Sequence, residues 1–152
     1  MSKYRKLKLV SDACCRLQSD KATGVMHGKG KSACGFVMLD ETGEVIAERT
    51  KYLGELTVPQ AEYEGLIFAL DTAVEFCRTR VEVWMDSEFV IRQMTGDYCI
   101  RSEHVKLLFD RVKLMEQRFL EPVQYFHHDR GSLWARRADK LANEEYSRNH
   151  TG

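Results

Sequence analysis

An α/β fold with one five-stranded mixed sheet and helices on both faces is what the sequence predicts, from three observations. Apolar runs of strand length, alternating or compact, fill the first third of the chain. The period then lengthens, and Tyr63, Leu66, Leu70, Ala73 and Cys77 recur every three or four residues, as the stripe of a helix does. From Val81 onward short apolar strands alternate with helical stretches, which implies parallel pairing in the second half. The order is βββαβααβα.

Each element has its own signal. Leu7 to Arg16 alternates at first and is rich in Val and Cys, so it reads as a strand. Ser19 to Lys31, with Gly24, Gly28 and Gly30, reads as a loop. Ala33 to Leu39 is a buried strand, Asp40 to Gly43 a turn, and Glu44 to Tyr52 a third strand, so the three form an antiparallel meander. Pro59 suits the first turn of the helix that follows. Val81 to Met85 is a short strand ending at Asp86. Ser87 is an N-cap for a brief helix to Met94, closed by Gly96. Ser102 opens a longer helix whose stripe is Val105, Leu108, Val112, Met115 and Phe119, stopped by Pro122. Val123 to His127 is the last strand, and Leu133 to Tyr146 the last helix. No repeat, linker or low-complexity stretch divides the chain, so residues 1–152 are expected to be one domain.

Composition excludes several classes. No apolar run approaches the ~20 residues of a membrane span, and no apolar segment of a secretory signal follows the basic start. The five cysteines are odd in number and contain no CxxC pair, which argues against a disulfide framework or a zinc site and for a reducing cytoplasm. Cys34 and Cys77 lie in apolar stretches and read as small core residues. Lys plus Arg equals Asp plus Glu at 23 each, so any grip on phosphates must come from local clusters.

Four acids stand out by position. Asp12 lies inside the first strand, where a charge is costly without a partner. Glu62 opens the first long helix. Asp86 ends a strand that the topology makes parallel, and ligands in open α/β sheets gather at the carboxyl ends of strands. Asp139 sits in the last helix. If the first and fourth strands are neighbours, Asp12 and Asp86 meet, with Glu62 and Asp139 approaching from helices. Clustered carboxylates raise one another's pKa until a cation neutralises them, and hard oxygen ligands select Mg²⁺ or Mn²⁺. Two such ions about 3.5–4 Å apart perform phosphodiester chemistry. Taken singly, each of these acids fits equally well as a cap, an ion-pair partner or a solvated residue.

In this order and on these elements, the acids make the chain resemble type 1 ribonuclease H over nearly its whole length. The matching segments are Gln60-Ala61-Glu62-Tyr63-Glu64, Val83-Trp84-Met85-Asp86-Ser87 and Ala138-Asp139-Lys140-Leu141-Ala142-Asn143. The short link between the two middle helices, without a Lys-rich insertion, is closest to the subgroup common in archaea and some bacteria that lacks a basic handle helix. The resemblance implies the ribonuclease H-like fold and a metal-dependent endonuclease that hydrolyses the RNA strand of RNA/DNA hybrids by a two-metal-ion mechanism, leaving 5′-phosphate. It implies Asp12, Glu62, Asp86 and Asp139 as catalytic metal ligands, with Asn143, one turn beyond Asp139, as the other candidate for the fourth position. It also implies a product-release histidine, His128 or else His127, and backbone amides near Cys14, Cys15 and Gln60 that read 2′-hydroxyls. A monomer with no membrane association is expected.

Some features depart from the family pattern. Asp12 is followed by Ala13 rather than Gly, Thr57-Val58-Pro59-Gln60 stands where Asn residues are common, and Trp134-Ala135 replaces polar residues before Asp139. Arg130, Arg136, Arg137 and Lys140 form a basic patch beside Asp139 that reads either as a phosphate grip or as a solvated helix face. Trp84, in a buried strand, reads as core. Two other functions remain open: a hybrid-binding module that has lost catalysis, and a related nuclease that also cuts double-stranded RNA.

Overall fold

A computed structural model of the chain describes residues 3–19, 26–128 and 131–150. Its strands are β1 (Leu7–Ser19), β2 (Met26–Leu39), β3 (Val45–Leu56), β4 (Val81–Met85) and β5 (Gln124–His127). The helices are α1 (Val58–Ala73), α2 (Glu88–Met94), α3 (Glu103–Glu116) and α4 (Leu133–His150). The predicted order βββαβααβα is the observed one. The five strands make one sheet in the order β3-β2-β1-β4-β5. The first three are antiparallel neighbours, and β4 runs parallel to both β1 and β5.

The alternation of strand side chains divides the core in two. Leu7, Leu9, Phe36, Met38, Val81, Val83 and Met85 face one side, where α1 and α2 bring Leu66, Leu70, Val90 and Ile91, and α3 packs on α1 and extends the same core with Val105, Leu108 and Val112. Val10, Val37 and Leu39 face the other side and meet Ala138 and Leu141 of α4. Helices therefore lie on both faces, as the sequence implies. Each fully buried large apolar side chain contributes about 1.5–3 kcal/mol.

The helix starts follow their capping residues. Ser87 accepts from the Val90 amide and Ser102 from the Val105 amide, as expected of N-caps. At α1 the Thr57 hydroxyl accepts from the Gln60 amide while the Gln60 side chain accepts from the Thr57 amide, a reciprocal capping box.

Several boundaries differ from the sequence reading: β1, β3 and α4 run on to Ser19, Leu56 and His150. Residues 26–31, read as loop, begin β2: Arg16 pairs with Lys31 and Ser19 with Met26. Backbone pairing along the hairpin outweighs the weak strand propensity of Gly and Lys. Helix α1 stops at Ala73, and Cys77 reaches the core through turns in which the Phe76 and Cys77 amides donate to the Ala73 carbonyl. Phe119, likewise beyond the end of α3, is still buried. Trp84 is only half-buried, because it alternates away from the buried Val83 and Met85 onto the α4 side. There it stacks on Phe126 with centroids 4.6 Å apart and lies under the Lys8 ammonium at 4.5 Å. Cys34 and Cys77 are buried, and all five cysteines are free thiols. Among the described residues no helix is long and apolar enough to cross a membrane.

Candidate metal and nucleic-acid site

The register of β1 and β4 brings the first two acids together. Ser11 pairs with Met85 at the end of the parallel ladder, so Asp12, in the middle of β1, and Asp86, just past the carboxyl end of β4, lie side by side. Two glycines let helices approach closely enough to complete the group. A Cβ on Gly65 would come within 3.1 Å of the Cys34 Cβ, so the small residue seats α1, and with it Glu62, low against β1 and β2. A Cβ on Gly35 would lie 2.8 Å from the Leu141 Cβ and 2.9 Å from the Ala142 nitrogen, and α4 with Asp139 descends into that space.

Asp12, Glu62 and Asp86 each present an oxygen, and the three oxygens lie within 4.8 Å of one another. Asp12 is buried, and its carboxyl is pushed up to about 9. Desolvation is the main cause, followed by the charges of Glu62 and Asp86 and, more weakly, of Asp139, while the Ala13 amide donating at 2.9 Å pulls the other way. Asp139 is exposed and lies outside this tight trio, but it lines the same cleft, of about 370 Å³, together with Ala13, Cys14, Cys15, Arg16, Ala135, Arg136 and Asn143. The donor set is oxygen only and acidic, which fits a hard divalent cation. The four acids singled out in the sequence thus line one cleft.

Asn143, the other candidate for the fourth ligand position, lines the same cleft and is hydrogen-bonded to Asp139 and Arg16. Its Nδ2 donates to the Asp139 carbonyl at 2.9 Å and to Asp139 Oδ1 at 3.2 Å. Its Oδ1 accepts from Arg16 Nη2 at 2.9 Å.

The other predicted residues divide. Cys14 and Cys15 line the cleft, with their thiols turned to carbonyls, Cys14 Sγ to Ala142 at 3.5 Å and Cys15 Sγ to Leu56 at 3.3 Å. Burial pushes the Cys14 thiol up, which keeps it protonated. Arg136 faces the cleft. Arg137 does not line it: its Nε and Nη2 hold the Glu48 carboxylate on β3 at 2.7 and 2.9 Å. Gln60 lines a neighbouring groove with Leu56, Glu64, His104, Leu107, Leu108 and Arg111 instead of the acidic cleft, and its side-chain oxygen is committed to the α1 cap. His127 reaches the Asp86 carbonyl through Nε2 at 3.2 Å, and the His128 amide donates to the Met85 carbonyl at 3.0 Å. Both histidines therefore stand at the end of β5, beside the strand that carries Asp86. Arg130 lies outside the described residues.

Arg16 was missed in the sequence reading. Its signal was there, since strand alternation puts Asp12, Cys14 and Arg16 on one face of β1.

The reverse transcriptase-like family model matches residues 20–145. Ribonuclease HI of Halobacterium salinarum is 32% identical over 115 residues, covering 76% of this chain and 56% of that relative. A bifunctional protein of Mycobacterium tuberculosis is 32% identical over 105 residues, 66% of this chain and 27% of that one. This chain thus spans about half the length of the first relative and about a quarter of the second. Among solved structures, RNase H1 from Halobacterium salinarum superposes with a TM-score of 0.82 at 27% identity, covering 94% of this chain and 98% of that one. LC11-RNase H1 in complex with an RNA/DNA hybrid superposes with a TM-score of 0.81 at 29% identity, with the same coverage of 94% and 98%.

Proposed function

The chain belongs to the type 1 ribonuclease H family, and from that premise we propose that it is an endonuclease hydrolysing the RNA strand of RNA/DNA hybrids with Mg²⁺ or Mn²⁺, leaving 5′-phosphate ends. The observation that carries this reading is the trio Asp12, Glu62 and Asp86, with oxygens within 4.8 Å of one another where the parallel pairing of β1 and β4 ends. When bound, two ions lower the pKa of the attacking water and stabilise charge on the leaving oxygen.

The chain's own residues place the reactants. Asp12, Glu62 and Asp86 hold the cations, and Asp139, at the rim, is the fourth carboxylate. Arg136 offsets part of the negative charge of the cleft for an anionic strand. The backbone beside Cys14 and Cys15 lines the cleft where a ribose 2′-hydroxyl would be read. His128, at the end of β5, is the group we assign to product release. The hybrid seen with the LC11 enzyme supports the choice of substrate. We take the enzyme to act as a monomer, one domain over residues 1–152, in the reducing cytoplasm that five free thiols suit.

The test is cleavage of a labelled hybrid with Mg²⁺ and then Mn²⁺, beside all-RNA and all-DNA duplexes. The expected result is cleavage of the hybrid's RNA by the wild type and a loss of at least about 10³-fold in Asp86→Asn, the scale for removing a group that stabilises transition-state charge. A folded wild type that binds the hybrid and cuts nothing with either metal would make the protein a binding module. Equal cutting of the all-RNA duplex would widen the substrate class.

A further inference from the structure

We infer that Arg16 grips a backbone phosphate of the nucleic acid at the acidic cleft, and that Asn143 couples this grip to the orientation of Asp139. The inference rests on the nuclease reading above and adds two residues to it.

Three features of Arg16 support it. First, its position: Asp12, Cys14 and Arg16 share the α4-facing side of β1, and Arg16 lines the cleft of Asp12, Glu62, Asp86 and Asp139. Second, its partners are neutral. The guanidinium donates from Nη2 to Asn143 Oδ1 at 2.9 Å, and its carbon lies 4.2 Å from the Tyr146 ring centroid. Five of the other arginines are tied to carboxylates: Arg92 to Glu88, Arg111 to Glu64, Arg118 to Asp71, Arg137 to Glu48 and Arg148 to Glu145. An amide and a ring hold a guanidinium in place without cancelling its charge, which suits a phosphate receptor better than a structural ion pair does. Third, it is held before any ligand arrives. The ring stack and the amide contact fix a long side chain whose ordering would otherwise be charged against binding.

Asn143 is the joint. Its Nδ2 is committed to the Asp139 carbonyl at 2.9 Å and to Asp139 Oδ1 at 3.2 Å, so its oxygen turns to Arg16. A single amide therefore sets both the cation and the outermost carboxylate of the cleft. Asp139 lies beyond the tight trio, and its approach to a metal depends on what holds its side chain. Asn143 is accordingly a positioning residue for Asp139, and Arg16 is a substrate-binding one.

The closing experiment measures binding of labelled RNA/DNA hybrid in EDTA across a KCl series, with steady-state cleavage in Mg²⁺ on the same preparations. For Arg16→Ala we expect roughly tenfold weaker binding and a salt slope shallower by about one, the signature of one lost phosphate contact. Its KM should rise with kcat largely kept. Arg16→Lys should keep the slope and lose part of the affinity, since an ammonium has neither the fork nor the stack. Asn143→Ala should lower kcat as well as raise KM, and the double variant should lose less than the sum of the singles. If the wild type grips and cuts the hybrid while Arg16→Ala and Arg16→Lys match it in affinity and slope, the Arg16 inference is overturned and the nuclease reading stands. If the wild type binds no duplex of any kind, both fall together.

Discussion

Asp12 is buried in β1 and crowded by Glu62, Asp86 and Asp139, and its carboxyl is pushed from 3.8 up to about 9. A carboxyl with a raised folded-state pKa stabilises the fold fully below its unfolded value, and that contribution is lost as pH rises through the folded value. For Asp12 the window runs from 3.8 to about 9, so the metal-free wild type bears the cost at neutral pH. Asp12→Asn removes the titration and keeps an oxygen for the Ala13 amide. We expect this variant to be inactive yet more stable than the wild type in EDTA at neutral pH, by on the order of 1–3 kcal/mol, with the gain shrinking as pH falls toward 3.8. Thermal melts at several pH values check this, and a less stable variant at neutral pH would show that the carboxylates do not strain the fold. Residues of this kind were legible in the sequence because they break a pattern: Asp12 interrupts an apolar strand, and Asp86 ends one. Arg16 was not, because an arginine near the end of a strand breaks nothing, and its partner Asn143 lies on the last helix. Trp84 was misjudged as core because an apolar run hides which of its two faces a helix covers fully.

Helix α4 carries Asp139, Asn143, Arg136 and the Tyr146 ring, so the seat of this element on the sheet decides the geometry of half the cleft. Among the contacts that hold that seat are the close approach at Gly35 and the two-pronged grip of Arg137 on Glu48 of β3. The Arg137 hydrogen bonds hold the Glu48 carboxyl below its ordinary value of 4.5. A lowered carboxyl contributes stability above its unfolded pKa and loses it as pH falls through the folded one. With side chains 36% and 29% exposed, the pair is worth no more than about 1 kcal/mol. Arg137→Ala should therefore lower the melting temperature by a few degrees at neutral pH and by nothing measurable once Glu48 is protonated, well below pH 4.5. It should leave the salt slope of hybrid binding unchanged, unlike Arg16→Ala; a shallower slope would return Arg137 to the phosphate grip. The sequence placed Arg137 in a basic patch because helical neighbours were visible and the glutamate across the sheet was not. Caps are local: Ser87 and Ser102 start their helices within three residues of the cap, and Pro59 sits in the first turn of α1, which is why these starts were legible, whereas the Thr57–Gln60 capping box was not read. The length of the β1–β2 hairpin was not, because pairing with a partner strand decides it, not the glycines and lysines of residues 26–31.

With 23 positive and 23 negative side chains, the molecule as a whole has no field to attract a polyanion, so association depends on the few cations at the cleft. On the proposed function, the negative charge of the trio weakens association with a polyanion without abolishing it, and divalent ions at the trio would strengthen it. Among the described residues no other group of three or more His, Cys, Asp or Glu converges in this way, so stabilisation by metal should trace to this trio alone. A ligand that binds only the folded chain stabilises it by about 2.7 kcal/mol at one hundred times its Kd, or about 5–10 °C in a chain of this size. Saturating Mg²⁺ should therefore raise the melting temperature of the wild type on that scale, above a KCl control matched in ionic strength that accounts for screening. The Asp12→Asn/Asp86→Asn double variant should start higher in EDTA, where its repulsion is relieved, and gain nothing from Mg²⁺. A rise shared by both proteins would mean that the ions act on the surface at large, and the trio would then have to be read as strained carboxylates without a resident cation.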